Sequence, residues 1–196
     1  MKRSFAKLNP KFPTDTVAGI YKVAVASNYM FDAVRFDQQR FNWTLKEFDR
    51  YSSAFAFGLV ESGYSNGDKI LLWLDQSNSA EVLTAQMGAA KAGVTVVTFN
   101  EKNDIDALHQ ALRDSGARGI VFSPSTEADE CCNRADYINK LMPELDKLYP
   151  GDAINVRSYP LLKQIIQTGH NNMRGVIKYK DALVYANPAL SGFSLP

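Results

Sequence analysis

The sequence contains few residues of the types that bind metals or form disulfides. Its 196 residues include two histidines and two cysteines, and the cysteines are neighbours, Cys131 and Cys132. Adjacent cysteines lack the spacing of a zinc motif or a CxxC redox pair, and a disulfide between them is strained. His109 and His170 lie far apart, without the clustered cysteines or carboxylates of a metal site. We therefore expect no metal ligands, with His109 on a solvated helix face and His170 in a turn.

Strong net charge and long apolar runs are also missing. The formal net charge is +1, so the chain has no global basic field that would hold nucleic acid. No apolar stretch approaches the roughly 20 residues that a membrane-spanning helix needs. With 45% hydrophobic and 22% charged residues, the chain can bury a sizeable core. The composition therefore predicts a folded domain that neither binds nucleic acid nor crosses a membrane as a helix.

Glycine-rich phosphate loops of the Walker type and the GxGxxG motif do not occur in the sequence. The nearest candidates are Ser123–Thr126, which lacks glycines and a following lysine, and Gly58, a lone glycine inside a helical pattern. An ordinary polar loop after a strand explains Ser123–Thr126 more simply. Activation of a carboxylate by ATP needs backbone N–H groups and cations around the phosphates. We therefore expect no catalytic residues, no cofactor-binding residues and no cofactor in this chain.

From Phe41 to Pro124 the chain alternates between helical and strand patterns. Thr44 and Glu47 form a capping box that begins one helix, and Gly63 ends it. Short, continuously apolar runs are typical of strands buried on both faces. The predicted strands are Ile70–Leu74, Val94–Phe99 and Gly119–Phe122, and the helices between them are Ala80–Ala92 and the stretch from Asp104 to Gly116. This alternation predicts an α/β fold with a mostly parallel sheet and helices on both faces.

The flanking regions are less regular. Tyr21–Met30 has the pattern of a helix, and so does Asn133–Leu148, which Pro143 should interrupt or kink. Pro150 and Gly151 indicate a turn, and Leu161–Ile166 is a possible further strand.

Several of these segments together resemble a known family. Thr44–Phe48, Gly63–Lys69, Gly88–Gly93 and Leu112–Arg118 resemble, in order and spacing, the N-terminal subdomain of the adenylate-forming enzymes, which include the acyl-CoA synthetases. Further segments resemble the medium-chain, mitochondrial-type branch; they are Tyr137–Leu148, Pro150–Gly151, Arg157–Leu162, Ile165–Ile166 and Gly169. The resemblance covers about Phe31 to Ala186. It implies a subdomain truncated before the family's phosphate loop, its adenine and ribose motifs and its adenylation lysine.

The domain organisation follows from charge and composition. Residues 1–13 form a basic arm with Lys2, Arg3, Lys7 and Lys11 and no acidic residue, residues 14–181 the α/β domain, and residues 182–196 an extended tail. An acid-free basic start is typical of organelle transit segments, although an exposed arm that docks on an acidic or lipid surface explains it equally well. With the mitochondrial-type resemblance, it predicts a mitochondrial protein.

Two functions are compatible with these features. The first is a non-enzymatic accessory subunit, complete at this length, whose apolar face is covered by other protein subunits of a large complex. A mitochondrial inner-membrane assembly such as ATP synthase or a respiratory complex is the expected context. The second is half of a split or fragmentary acyl-CoA synthetase that binds an acyl chain or CoA and is completed by another chain. The identity of the chains that co-purify with it would discriminate between the two.

Overall fold

The computed structural model describes residues 16–28, 30–100, 104–124, 133–169 and 172–185. Within these ranges, the helices are α1 (Val17–Asn28), α2 (Leu45–Glu61), α3 (Ser79–Lys91), α4 (Ile105–Ser115) and α5 (Arg134–Leu141). The strands are β1 (Asp32–Phe36), β2 (Phe41–Thr44), β3 (Lys69–Trp73), β4 (Thr95–Thr98), β5 (Gly119–Phe122), β6 (Gln164–Gln167) and β7 (Ile177–Lys178). Short 3-10 helices occupy Gln76–Asn78 and Pro143–Lys147.

The main sheet has five parallel strands in the order β4-β3-β5-β6-β7. The chain runs from β3 through α3 to β4, and then returns across β3 through α4 to β5. The direction of winding therefore reverses between β3 and β5, which makes this gap the topological switch point of the sheet. The predicted α/β class is confirmed, and so is the prediction that the strands now numbered β3, β4 and β5 are neighbours.

Both faces of this sheet are covered by helices. Alternate residues of β3 divide between the two layers, with Leu71 and Trp73 packing in the cluster that includes Leu108 of α4. Ile70 and Leu72 pack in the cluster that includes Phe55 of α2 and small residues of α3. A strand covered on both sides has no polar face, which explains the continuous apolar run in the sequence.

The helix ends follow local sequence signals. The Thr44 hydroxyl accepts from the Glu47 amide at 3.2 Å, and the Glu47 carboxylate accepts from the Thr44 amide at 2.8 Å, so the capping box is confirmed. Asp104 accepts from two amides of the first turn of α4. Gly116 ends this helix with a φ of 61°, a left-handed conformation that favours glycine.

Some elements differ from the sequence prediction. The antiparallel hairpin of β1 and β2 was not predicted, nor was the two-residue β7. The strand expected at Leu161–Ile166 begins at Gln164 instead, because Leu161 is exposed while all four residues of β6 are buried. The interruption at Pro143 is confirmed, since α5 ends before it and a 3-10 turn follows.

The last described residues, Tyr179 to Tyr185, form a strap across α2. The Ala182 carbonyl lies directly against Gly58, and the Val184 amide donates to the Ala54 carbonyl at 3.0 Å. Tyr185 packs edge-on against Tyr51. The beginning of the tail 182–196 therefore lies on α2 of the same chain, while residues 186–196 and the arm 1–13 lie outside the described residues. Of the helices described, none is long and apolar enough to cross a membrane.

Candidate functional site

Polar side chains collect where the central strands end. Open parallel sheets bind ligands outside the carboxyl ends of their strands, at the switch point. Here Asp75 follows β3 after one residue, Ser123 follows β5 directly, and Gln167 ends β6. The Ser123 and Gln167 side chains are buried although they are polar. We therefore take this carboxyl edge as the candidate functional site.

A buried guanidinium stands over the end of β3. Arg134, the first residue of α5, donates to the Trp73 carbonyl at 3.4 Å and lies 5.0 Å above the centre of the Trp73 ring. The same nitrogen is 3.7 Å from a carboxylate oxygen of Asp75. The other carboxylate oxygen accepts from the Ser77 amide at 3.2 Å. Arg134 thus holds positive charge beside the Asp75 carboxylate, and both groups are fixed by the backbone around them.

The hairpin reaches the same edge. The Gln39 side chain accepts from the Ala80 amide and donates to the Glu81 carboxylate, both at 3.0 Å. The first amides of a helix lack partners within it, so Gln39 supplies one at the start of α3. A cavity of about 190 Å³ lies between hairpin and helix, lined by residues that include Phe36 and Leu83. It is smaller than the roughly 300–1,000 Å³ of usual ligand pockets, so it is too small for a nucleotide.

The polar groups at this edge could bind and orient a ligand. It presents an ion pair, amide and hydroxyl groups, and a helix start already occupied by Gln39. Across the residues that the structure describes, there is no group of three or more histidines, cysteines or carboxylates that could hold a metal ion. Of the candidate loop Ser123–Thr126, only Ser123 and Pro124 are described, and they lie at this edge.

The other candidates from the sequence have different surroundings. Gly58 permits the close approach of the strap, because an added Cβ would overlap the Ala182 carbonyl oxygen. His109 is half-buried on α4, and its Nδ1 is 2.5 Å from the Tyr159 hydroxyl. Burial raises the pKa of Tyr159. The remaining candidates lie outside the described residues; they are His170, Cys131, Cys132, Ser125 and Thr126.

Apart from Ser123, which begins the candidate loop Ser123–Thr126, sequence reasoning missed the polar groups that complete the edge. Asp75 and Gln167 were within reach of the rule that carboxyl ends of parallel strands meet at one edge. Gln39 and Arg134 were not, because each acts on a residue distant in the sequence through tertiary packing.

Comparison with known proteins identifies the family of this chain. The family model described as "AMP-binding enzyme" matches residues 22–175, which is most of the chain. The chain belongs to the AMP-binding enzyme family. The expectation that it is not an enzyme is therefore wrong. That expectation rested on the missing phosphate loop. The loop is absent from this stretch of sequence, but the family to which the stretch is related consists of enzymes.

Several relatives are named as acyl-CoA ligases. Medium-chain acyl-CoA ligase ACSF2, mitochondrial, of Rattus norvegicus is 31% identical over 121 residues, which is 62% of this chain and 18% of that protein. The protein of the same name from Danio rerio is 28% identical over 137 residues, 70% of this chain and 22% of that protein. The chain thus spans at most 22% of the length of these two curated relatives.

Solved structures show the same fold. A structure named as a long-chain-fatty-acid CoA ligase from Rhodopseudomonas palustris matches with a TM-score of 0.68 at 16% identity, over 89% of this chain and 37% of that one. A Mycobacterium tuberculosis fatty acyl CoA synthetase matches with a TM-score of 0.63 at 14% identity, over 90% of this chain and 30% of that one. These likenesses confirm the predicted fold as that of the N-terminal part of acyl-CoA ligases. The chain is thus a member of the AMP-binding enzyme family that is similar to the N-terminal part of acyl-CoA ligases.

Proposed function

We propose that this chain forms the N-terminal part of an acyl-CoA ligase that activates medium-chain fatty acids, and that further polypeptide completes the active site. The observation that carries the proposal is the family match over residues 22–175. The names of the relatives supply the substrate class. Because the chain spans only part of those proteins, the phosphate-binding and adenylation groups would come from the remainder.

The role of this part is to build one wall of the site. The carboxyl edge of β3, β5 and β6 would face the completing polypeptide, with Arg134 and Asp75 held at its centre. An acyl chain or CoA would bind where the two parts meet. No catalytic step is assigned to a residue of this chain.

A chimera tests the proposal. The matching 121 residues of the rat relative would be replaced by the corresponding residues of this chain. We expect the chimera to form acyl-CoA from a medium-chain fatty acid, ATP and CoA. A matched chimera with Leu72→Asp, which places a charge in the doubly covered strand, should lose both fold and activity. A folded chimera without fatty-acid-dependent activity would contradict the proposal.

The names of the same relatives, which include the word mitochondrial, support a proposal about location. We propose that this chain is mitochondrial too, supported by the basic, acid-free residues 1–13. A full-length protein tagged at its C-terminus should localise to mitochondria, and removal of residues 1–13 should weaken import. Identical cytosolic distribution of both forms would exclude this location.

Association with other protein subunits of a large complex stays a prediction. Native gels of mild detergent extracts provide its test, since the chain should then migrate with an assembly much larger than itself, such as ATP synthase or a respiratory complex. Migration only at its own size would contradict it.

A further inference from the structure

The turn between α2 and β3 contains the only Asn-Gly pair in the sequence, Asn66 and Gly67. Such a pair is chemically reactive, because glycine has no side chain to hinder the attack of its backbone nitrogen on the side-chain amide before it. Asn66 is exposed, so water reaches this amide. Gly67 has a φ of 88°, a left-handed conformation that lets the chain turn sharply here. The turn therefore brings together a nucleophile, an electrophilic carbon and solvent.

The nitrogen of Gly67 is held by a second turn. Its N–H donates to the carbonyl of Gly93 at 2.9 Å, and Gly93 lies between α3 and β4. The amide of Thr95 donates to the carbonyl of Asp68 at 2.8 Å, so the two turns are joined where β3 and β4 begin. Attack by the Gly67 nitrogen requires this hydrogen bond to open, because the nitrogen loses that proton in the reaction. The stability of the bond between Gly67 and Gly93 therefore limits the reaction.

The side chain of Asn66 packs against the same glycine. A Cβ added to Gly93 would lie 2.7 Å from Oδ1 of Asn66 and 3.2 Å from its Cγ, so there is no room for a larger residue between them. Gly93 also has a φ of 71°, a left-handed conformation that favours glycine. One residue thus contacts both reacting groups, the nitrogen that attacks and the side chain that is attacked.

We propose that Asn66 is a site of spontaneous deamidation and that Gly93 controls the rate of this modification. When the bond between Gly67 and Gly93 opens, the Gly67 nitrogen forms a bond to Cγ of Asn66, and the bond from Cγ to Nδ2 breaks. Ammonia leaves with the proton of the Gly67 amide, which gives a cyclic imide. Water then opens the imide at either carbonyl and yields aspartate or isoaspartate at position 66. Water is the co-reactant, and no atom is oxidised or reduced.

Deamidation weakens the contact between the two turns. In isoaspartate the main chain runs through the former side chain and is longer by one methylene group, so the Gly67 N–H is displaced from the Gly93 carbonyl. Either product also adds a negative charge close to Asp68, whose carboxylate pairs with Arg118 at 2.9 Å. Like charges this close together repel each other. The modification therefore destabilises the amino edge of the sheet, which lies opposite the carboxyl edge of the candidate site.

Peptide mapping of the full-length protein by mass spectrometry tests the proposal. The protein is incubated at mildly alkaline pH in buffer or in urea that unfolds it, and the conversion of Asn66 is followed over time. We expect conversion to be on the order of tenfold slower in the folded protein, the factor that opening one hydrogen bond of typical net strength imposes. Gly93→Ala should bring the folded protein close to the unfolded rate, because its Cβ displaces the Asn66 side chain. Asn66→Gln should stay unmodified at this position, because its longer side chain must close a larger ring.

The matched control is Gly116→Ala, which places the same left-handed strain, at a φ of 61°, at the end of α4. It should leave the conversion of Asn66 at the wild-type rate, and circular dichroism should show that both glycine variants fold. If Gly93→Ala does not fold, the wild type in low urea replaces it, and conversion should rise in parallel with hydrogen exchange of the Gly67 amide. Equal rates in folded and unfolded protein, no conversion in the unfolded protein, equal rates in the two glycine variants, or conversion that does not follow the exchange of Gly67 would each overturn the proposal.

Discussion

Gly58 illustrates how one residue fixes the path of the chain at a distance. It lies within α2, and the Ala182 carbonyl of the strap occupies the space that a side chain would need. The obstructing atom belongs to the backbone, so no change of rotamer can relieve the overlap. The glycine is therefore explained by packing, and the strap depends on it.

Gly58→Ala should either displace the strap or destabilise the fold. We expect a loss of about 1–3 kcal/mol in the free energy of unfolding, the usual cost of overpacking. The amide of Val184, which donates to the Ala54 carbonyl, should exchange its hydrogen faster. Glu61→Ala, on the exposed side of the same helix, is the control. A Gly58→Ala variant with wild-type stability and unchanged exchange at Val184 would show that the strap is not held there.

Lys91 is a buried ammonium whose partners lie on α2. Its Nζ is 2.7 Å from the Asp49 carboxylate and donates to the hydroxyls of Ser52 and Ser53 at 2.8 and 2.9 Å. Burial lowers the pKa of Lys91, and the bond to Asp49 opposes that shift. Through the Tyr21 ring the same group touches α1, so three helices meet at this side chain.

Lys91→Met should therefore loosen α1 more than the sheet. The substitution removes the ammonium that donates to the Asp49 carboxylate and to the hydroxyls of Ser52 and Ser53. We expect the free energy of unfolding to fall by about 1–3 kcal/mol, the usual cost of leaving buried polar groups without a partner. Hydrogen exchange should accelerate first at the amides of α1. Lys46→Met, which changes an exposed lysine of α2, should have little effect. Equal acceleration in α1 and β3 would mean that Lys91 stabilises the whole domain and does not act on α1 in particular.

At the scale of elements, the Gln39 side chain joins the hairpin to the start of α3 by two hydrogen bonds. Gln39→Ala would leave the Ala80 amide without the partner that caps the start of the helix. We expect a loss of about 1 kcal/mol, as for other caps, together with faster hydrogen exchange in β1 and β2. Gln38→Ala, at the exposed neighbouring position, is the matched control. If both variants behave alike, the Gln39 contacts do not hold the hairpin.

Local signals decide which elements the sequence could predict. The starts of α2 and α4 were predictable because their caps, Thr44 and Asp104, bond within the next three residues. The hairpin was not, because its turn lacks the Asn-Gly or Gly signal of short hairpins and places Arg40 at a φ of 57°. The same holds within the site. Arg134 meets the Trp73 carbonyl across 61 positions of sequence, and no local pattern encodes that contact.

At the scale of the whole molecule, buried tyrosines determine how stability responds to alkaline pH. Burial raises the pKa of Tyr21, Tyr64 and Tyr179 above the ordinary 10.0 of a tyrosine, and it is the largest cause of the shift in each case. Their hydroxyls therefore keep their protons in the folded state at a pH at which the unfolded chain has lost them. The stabilisation from this difference is complete below about pH 10 and is lost as the pH rises above it.

The free energy of unfolding should accordingly fall above about pH 10, since the unfolded chain then binds fewer protons than the folded one. Lys91 acts in the opposite direction just below its ordinary pKa of 10.5, because the folded state loses that proton first. It is one group against five tyrosines, since burial also raises the pKa of Tyr159 and Tyr185. Urea unfolding between about pH 8 and pH 11 measures the slope. Tyr179→Phe keeps the ring that stacks on Phe55 and removes the ionising hydroxyl, so it should make the fall shallower. Tyr149→Phe, at a largely exposed position, should not change the slope, and equal slopes in all three proteins would show that burial of Tyr179 does not set the alkaline limit.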